Sequence, residues 1–312
     1  MAPAIRHLIS LDDLSDEDLR AVVGRAARLA ARPRAAQASL RGDVVGIYFR
    51  RTSTRTRTAF SSGALRLGAQ IIAYGPGDLQ TNTGESIEDT GRVLATMLDV
   101  LVARTANDPA QLRAMAAQQR MAVINAMSAD EHPTQALADL TTVLCRFGRV
   151  DGLRLLYLGE GNNSAAALAL ALSRFPGAEL HLRTPPGYGL APDVLARARA
   201  HAARCGALVE ESHDPGELPA KVDVVYTTRW QTTGTTKQDP DWRTVFAPFQ
   251  VTGELWRSSP DALFMHDLPA HRGEEVTAEV LDGPRSVAFE QAENKLYSAM
   301  AALEWCRGGE LA

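Results

Sequence analysis

Between positions 49 and 60 the chain reads FRRTSTRTRTAF, a stretch whose residue types and spacing could do chemistry. Residues 44–49 are a short apolar, β-branched run with the character of a buried strand. Phe60, Ala64 and Leu67 then recur at helical spacing, which predicts a helix opening near Ser53, a good N-cap residue. Arg50, Arg51, Arg55 and Arg57 therefore crowd the end of a helix at which the dipole is already positive. Cations repel one another there unless an anion lies among them. Backbone N–H groups, the hydroxyls of Ser53 and Thr54 and an arginine fork together make a phosphate seat. A solvated basic turn is the competing reading.

A second group follows further along. Glu131-His132-Pro133-Thr134-Gln135 opens a helix with proline at its first position. Helix polarity disfavours the imidazolium there, so His132 is expected to be a neutral donor or acceptor. Such an imidazole polarises a carbonyl without adding charge. Gln135, one turn on, can hydrogen-bond the amide of the same substrate. A histidine in this place also serves as an ordinary cap.

These residues must be positioned by regular elements. Capping-box residues at 15–18 open a first helix that runs on through Leu29. Strands are predicted at 44–49, 70–74, 99–104 and 121–125, with helices at 86–98 and 133–147 between and after them. A second set begins at 153–158 and continues with 179–182, 222–226 and 263–266, and a last helix spans 294–307. Strands alternating with helices predict α/β architecture, with parallel sheets covered by helices. Ligands of such sheets bind at the carboxyl ends of the strands, where Arg104 and the 50–57 arginines both lie. The expected domains are 1–147 and 148–290, with 291–312 packing back on the first. Gly159-Glu160-Gly161-Asn162-Asn163-Ser164 resembles a dinucleotide fingerprint, but serine replaces its third glycine and no acidic residue ends the next strand. A nicotinamide cofactor is rejected. The polar loop 227–240 is a candidate lid.

Bulk properties narrow the classes. The 312 residues suffice for two cores, with 45% hydrophobic and 22% charged residues, as in ordinary globular proteins. A net charge of -4 with locally clustered basic residues argues against a nucleic-acid binder. Cys145, Cys205 and Cys306 show neither paired nor metal-like spacing. The N-terminal stretch turns acidic early and lacks an apolar core, and the longest apolar run, 165–172, cannot span a bilayer. A cytoplasmic setting is expected.

Taken in order, Ser53-Thr54-Arg55-Thr56-Arg57, Arg104, His132-Pro133-Thr134-Gln135, Asn163, His266-Asp267-Leu268-Pro269 and Gln291-Ala292-Glu293-Asn294 closely resemble the aspartate/ornithine carbamoyltransferase family. The likeness spans essentially the whole chain. It implies two α/β domains, usually in a homotrimer, the first holding carbamoyl phosphate and the second an amino acid acceptor. By position, Ser53, Thr54, Arg55 and Thr56 would hold the phosphate, helped by Gln80 and Arg104. Arg104, Thr56 and His132 would polarise the carbamoyl oxygen. Gln135 and the Leu268 backbone would hold the carbamoyl nitrogen. The resemblance implies no metal and no organic cofactor; the partners are small-molecule substrates, with no nucleic acid or membrane.

The acceptor half departs from both well-known members. Ornithine enzymes carry an Asp followed by Ser-Met-Gly, whereas this chain reads Thr228-Arg229-Trp230-Gln231-Thr232-Thr233-Gly234. Thr228, Arg229 and Gln231 look like the aspartate enzymes, whose Arg and Gln hold carboxylates; a solvent-exposed loop arginine is the alternative. Asp267 stands where ornithine enzymes have a cysteine. It either binds a second ammonium, accepts the amine's proton, or pairs with Arg272 or Lys295. Lys295 stands where ornithine enzymes place an arginine that reaches carbamoyl phosphate. The 81–85 loop lacks the lysine that aspartate enzymes lend to a neighbour. An Arg for a carboxylate and an Asp for an ammonium suggest a 2,3-diaminopropionate-type acceptor in a specialised pathway. Aspartate, ornithine and a non-catalytic carbamoyl phosphate-binding paralogue are the alternatives.

Overall fold

The computed structural model describes residues 5–33, 38–105, 108–232, 235–309 and 311. The chain divides into two compact units, Met1–Cys145 with Glu293–Ala312, and Arg146–Ala292. No helix among the described residues is long and apolar enough to cross a membrane.

The first unit is built on four parallel strands: β1 (Val44–Phe49), β2 (Gln70–Tyr74), β3 (Val100–Arg104) and β4 (Ala122–Asn125). Their order is β2-β1-β3-β4, with Phe49 of β1 opposite Arg104 of β3. β1 and β3 are buried almost throughout, which is why both read as continuous apolar runs rather than alternating ones. The helices are α1 (Asp16–Ala31), α2 (Arg55–Arg66), α3 (Ile87–Leu94), α4 (Ala110–Met115) and α5 (Pro133–Phe147). Ser15 caps α1 by accepting from the Asp18 amide, and Asp16, Glu17 and Asp18 set negative charge against the positive end of the dipole. Helix α3 stops at Leu94, short of the expected 98, where the Thr96 hydroxyl donates to the Val93 carbonyl in a turn. The chain runs from β1 out to β2, then returns to β3 and β4. The reversal of strand order falls between β1 and β3, and a crevice at that switch point is where open α/β sheets bind ligands.

The second unit repeats the plan with five parallel strands: β5 (Arg154–Leu158), β6 (Glu179–Arg183), β7 (Leu208–Ser212), β8 (Val224–Thr227) and β9 (Leu263–His266). Their order is β7-β6-β5-β8-β9, so this reversal falls between β5 and β8. Its helices are α6 (Asn163–Leu172), α7 (Pro192–Cys205), α8 (Trp242–Phe246) and α9 (Ala278–Leu281). Edge strand β7 has only Leu208 and Val209 as apolar residues, a pattern too thin to mark a strand in sequence. The last helix, α10 (Ala288–Cys306), belongs to the first unit from Glu293 onward. There Gly63 of α2 lets the two helices approach, since a Cβ at that position would come within 3.0 Å of Met300. Both units thus have the helix-covered parallel sheet that strand–helix alternation predicted.

Candidate active site

Helix α2 begins at Arg55, and Thr54 rather than Ser53 occupies its N-cap. Thr54 is in the αR conformation and its side chain makes no capping hydrogen bond. Ser53 is oriented toward β3 instead: Arg104 Nη1 lies 3.5 Å from Ser53 Oγ, and the Arg50 amide donates to the Arg104 carbonyl at 3.0 Å. The exits of β1 and β3 are tied together in this way at the switch point of the sheet. The first-turn amides of α2, Ser53 and Arg104 therefore share one end of it. Arg57 turns elsewhere: its guanidinium carbon lies 5.2 Å from the centroid of the Phe49 ring. Two positions apart on a helix, Arg55 and Arg57 project to opposite faces.

Thr56, Ala59 and Phe60 of α2 line a small cavity with His132, Thr134 and Lys295. Three stretches remote in sequence meet there. His132 is 5% exposed, and its pKa is held well below the usual 6.5, chiefly by burial and then by the charges of Lys295 and Arg104. The imidazole is neutral, as expected, but burial and two cations account for that without invoking helix polarity. Gln135 is also buried, donating from Nε2 to Asp139 Oδ1 at 2.7 Å and accepting at Oε1 from Lys295 Nζ. Asp139 thus orients Gln135; the sequence reading passed over it, although i, i+4 spacing on one helix was a signal. Gln80 stands apart. It is exposed in a 3₁₀ turn, its side-chain oxygen accepts from Thr83 at 2.9 Å, and among the described residues no hydrogen bond joins it to Ser53, Arg104 or His132.

In the second unit the chain leaves β5 through Gly159, with φ of 126°. A Cβ on Gly161 would fall 2.3 Å from the Gly189 carbonyl carbon and the Leu190 nitrogen. Both glycines are accounted for by a sharp exit and a close passage of backbone, without a nucleotide. Asn162 caps α6, its Oδ1 accepting from the amides of Ser164 and Ala165 at 3.0 and 3.1 Å. Its Nδ2 donates to Thr228 Oγ1 at 3.0 Å, and the Tyr157 hydroxyl lies 2.9 Å from the same oxygen. Thr228, just past β8, is thereby engaged by the protein itself. Asn163 is buried at the first position of α6. Arg229 has a buried Nε with no hydrogen-bond partner among the described residues, and Gln231 Nε2 donates to the Thr235 carbonyl at 2.7 Å. Thr233 and Gly234 lie outside the described residues.

After β9, Asp267 Oδ2 accepts from Ser164 Oγ at 2.9 Å. Arg272, a candidate partner for Asp267, pairs bidentately with Asp282 at 2.8 and 2.6 Å instead. Lys295, the other candidate, binds Gln135. Leu268 takes a left-handed φ of 51°, and its amide donates to His266 Nδ1 at 2.8 Å. Because Nδ1 accepts, Nε2 carries the proton and donates to Glu275 Oε1, 3.2 Å away.

The aspartate/ornithine carbamoyltransferase family is represented over almost all of this chain: its carbamoyl-P binding domain matches residues 6–144 and its Asp/Orn binding domain residues 151–306. The chain belongs to the aspartate/ornithine carbamoyltransferase family. Ornithine carbamoyltransferase of Symbiobacterium thermophilum is 42% identical over 301 residues, covering 96% of each chain. That of Thermococcus kodakarensis is 38% identical over 307 residues, covering 97% of each. Among solved structures, ornithine carbamoyltransferase from Pyrococcus furiosus superposes with a TM-score of 0.90 at 36% identity, covering 97% of each chain. The protein is a carbamoyltransferase. In the second unit of this carbamoyltransferase, Thr228 and Asp267 are each held by hydrogen bonds from the α6 cap region.

Proposed function

We propose that the enzyme transfers the carbamoyl group of carbamoyl phosphate to the side-chain amine of a diamino acid. Ornithine is the first candidate, because ornithine carbamoyltransferases match the chain nearly end to end at 38–42% identity. The observation that carries carbamoyl transfer is the cavity shared by Thr56, neutral His132 and Lys295, beside a Gln135 fixed by Asp139. Ser53, Thr54, Arg55 and Thr56 seat the phosphate with Arg104. Arg104, Thr56 and His132 polarise the carbamoyl oxygen, while Gln135 and the Leu268 carbonyl accept hydrogen bonds from the carbamoyl nitrogen. The neutral amine attacks the carbonyl carbon and a tetrahedral oxyanion forms among fixed donors. The bond from that carbon to the phosphate oxygen then breaks, and phosphate leaves with the amine's proton. Fixed donors and positioning supply most of the acceleration.

A second reading, a shorter acceptor of the 2,3-diaminopropionate type, is favoured by Asp267 and Arg229. The Asp267 carboxylate is held by Ser164, and the Arg229 Nε has no hydrogen-bond partner among the described residues, so the two suit an ammonium and a carboxylate. We also propose a homotrimer, on the resemblance to the aspartate/ornithine carbamoyltransferase family.

Phosphate release from carbamoyl phosphate with ornithine, 2,3-diaminopropionate and aspartate tests the proposal. Turnover of a diamino acid is expected, and the preferred one chooses between the two readings. Turnover of aspartate alone overturns both. Tight carbamoyl phosphate binding without turnover of any amine identifies a non-catalytic paralogue.

A further inference from the structure

The second unit contains a buried ammonium that carbamoyl transfer does not use. Lys237 has a side chain only 4% exposed, and its Nζ lies 2.5 Å from Glu160 Oε1. The same nitrogen is 4.5 Å from the ring centroid of Tyr188, 4.6 Å from that of Phe246 and 5.5 Å from that of Trp242. Three aromatic faces and a carboxylate form a complete cage for a cation. A loop lysine ordinarily keeps its ammonium in water, and burying one is costly unless it is paired. That cost is met here at a place with consequences for the acceptor side.

The cage connects to Arg229 by two routes. Trp230, next to Arg229, packs its ring 5.6 Å from Phe246 and 6.4 Å from Trp242, both walls of the cage. Glu160 also accepts from the Thr232 hydroxyl, at 3.4 Å, through the oxygen that Lys237 leaves open. With Thr228 held by Asn162 and Tyr157, residues 228, 230 and 232 are anchored to the body of the unit. Arg229 is flanked by two of those anchors and has a buried Nε with no hydrogen-bond partner among the described residues.

We propose that Lys237 is a positioning residue for acceptor binding: its ammonium, clasped by Glu160 and the rings of Tyr188, Phe246 and Trp242, fixes segment 228–232 so that Arg229 meets the acceptor's carboxylate. The proposal rests on the reading of Arg229 as the carboxylate contact. Lys237 touches no substrate. It acts through Trp230 and Thr232, and the enzyme reads its presence as affinity for the amino acid rather than as a chemical step.

Steady-state kinetics of Lys237→Met, Lys237→Arg, Glu160→Gln and Arg229→Gln test this, using ornithine and 2,3-diaminopropionate as amine probes and varying each substrate separately. Lys237→Met is expected to raise the amine KM about tenfold while the carbamoyl phosphate KM stays within about twofold. Lys237→Arg, which keeps both charge and ring contact, should restore most of the loss. If Lys237→Met does not fold, Glu160→Gln provides the same readout with the cage rings intact. An amine KM raised by Arg229→Gln but unmoved by Lys237→Met or Glu160→Gln overturns the positioning role and leaves the Arg229 reading standing. An amine KM unmoved by Arg229→Gln overturns both. Equal rises in the two KM values mark Lys237 as a stability element and also overturn the role. Turnover of neither amine removes the proposal together with the reading beneath it.

Discussion

Ser164 Oγ donates to Asp267 Oδ2 at 2.9 Å, joining the first turn of α6 to the segment that follows β9. Asp267 is thereby held at the end of the sheet that carries Asn163 and Thr228. On the proposed diamino acid reading, Asp267 binds the acceptor's other ammonium, because a carboxylate against the attacking amine would favour its unreactive protonated form.

Asp267→Asn is therefore expected to weaken binding of a diamino acid by roughly ten- to hundredfold, the range for losing a hydrogen bond to a charged group. Carbamoyl phosphate affinity should be unchanged, and Ser164→Ala should have a smaller effect of the same kind. Titration calorimetry with each substrate separately checks both points. Aspartate carbamoylated equally well by the wild-type enzyme and Asp267→Asn would end the diamino acid reading.

His132 supports a prediction about pH. Its folded-state pKa lies well below 6.5, because burial and then the charges of Lys295 and Arg104 oppose protonation. Between that value and 6.5 the unfolded chain binds a proton that the folded chain refuses, so stability rises with pH across the window. The contribution is complete above 6.5 and is lost as pH falls toward the folded value. His7, whose pKa is lowered by burial against the opposing pull of Asp13, contributes with the same sign. Denaturant midpoints taken at about pH 5 and about pH 7 should differ less in His132→Gln than in the wild type. An undiminished difference would place the titration on other groups. The same low pKa predicts no inflection in kcat/KM from His132 near neutrality.

Much of this arrangement was legible in the sequence, for a physical reason. The residue types at 50–57 suggest an anion seat because four arginines at a helix mouth repel one another, although Arg57 lies against the Phe49 ring. β1 and β3 were equally plain, because strands buried on both faces cannot hide their apolar character. What escaped were relations between distant positions. Lys237 looks like any loop lysine until Tyr188, Phe246 and Trp242 are placed around it. Ser164 reads as a broken glycine motif until Asp267 is found beside it. The cap of α2 falls at Thr54 rather than Ser53, whose hydroxyl lies 3.5 Å from the guanidinium of Arg104, 51 residues further along the chain.

Gly161 permits a test of the turn that holds this part of the second unit together. Its amide donates to the Tyr188 carbonyl at 2.8 Å, and a Cβ would meet the backbone of Gly189 and Leu190 at 2.3 Å. Backbone cannot swing aside as a long side chain can, so Gly161→Ala must push the 188–190 segment away from the turn. Overpacking of this kind costs about 1–3 kcal/mol. The displaced segment includes Tyr188, one wall of the Lys237 cage, so the damage should extend beyond stability. Gly161→Ala is expected to lower the unfolding midpoint and to raise the amine KM, with the carbamoyl phosphate KM little changed. Gly216, where the nearest atom to an added Cβ is the Asp214 side chain at 3.2 Å, provides the control. Gly216→Ala should leave both KM values near wild type, and a loss there equal to that of Gly161→Ala would show that the close passage at 161 is not what sets the acceptor side.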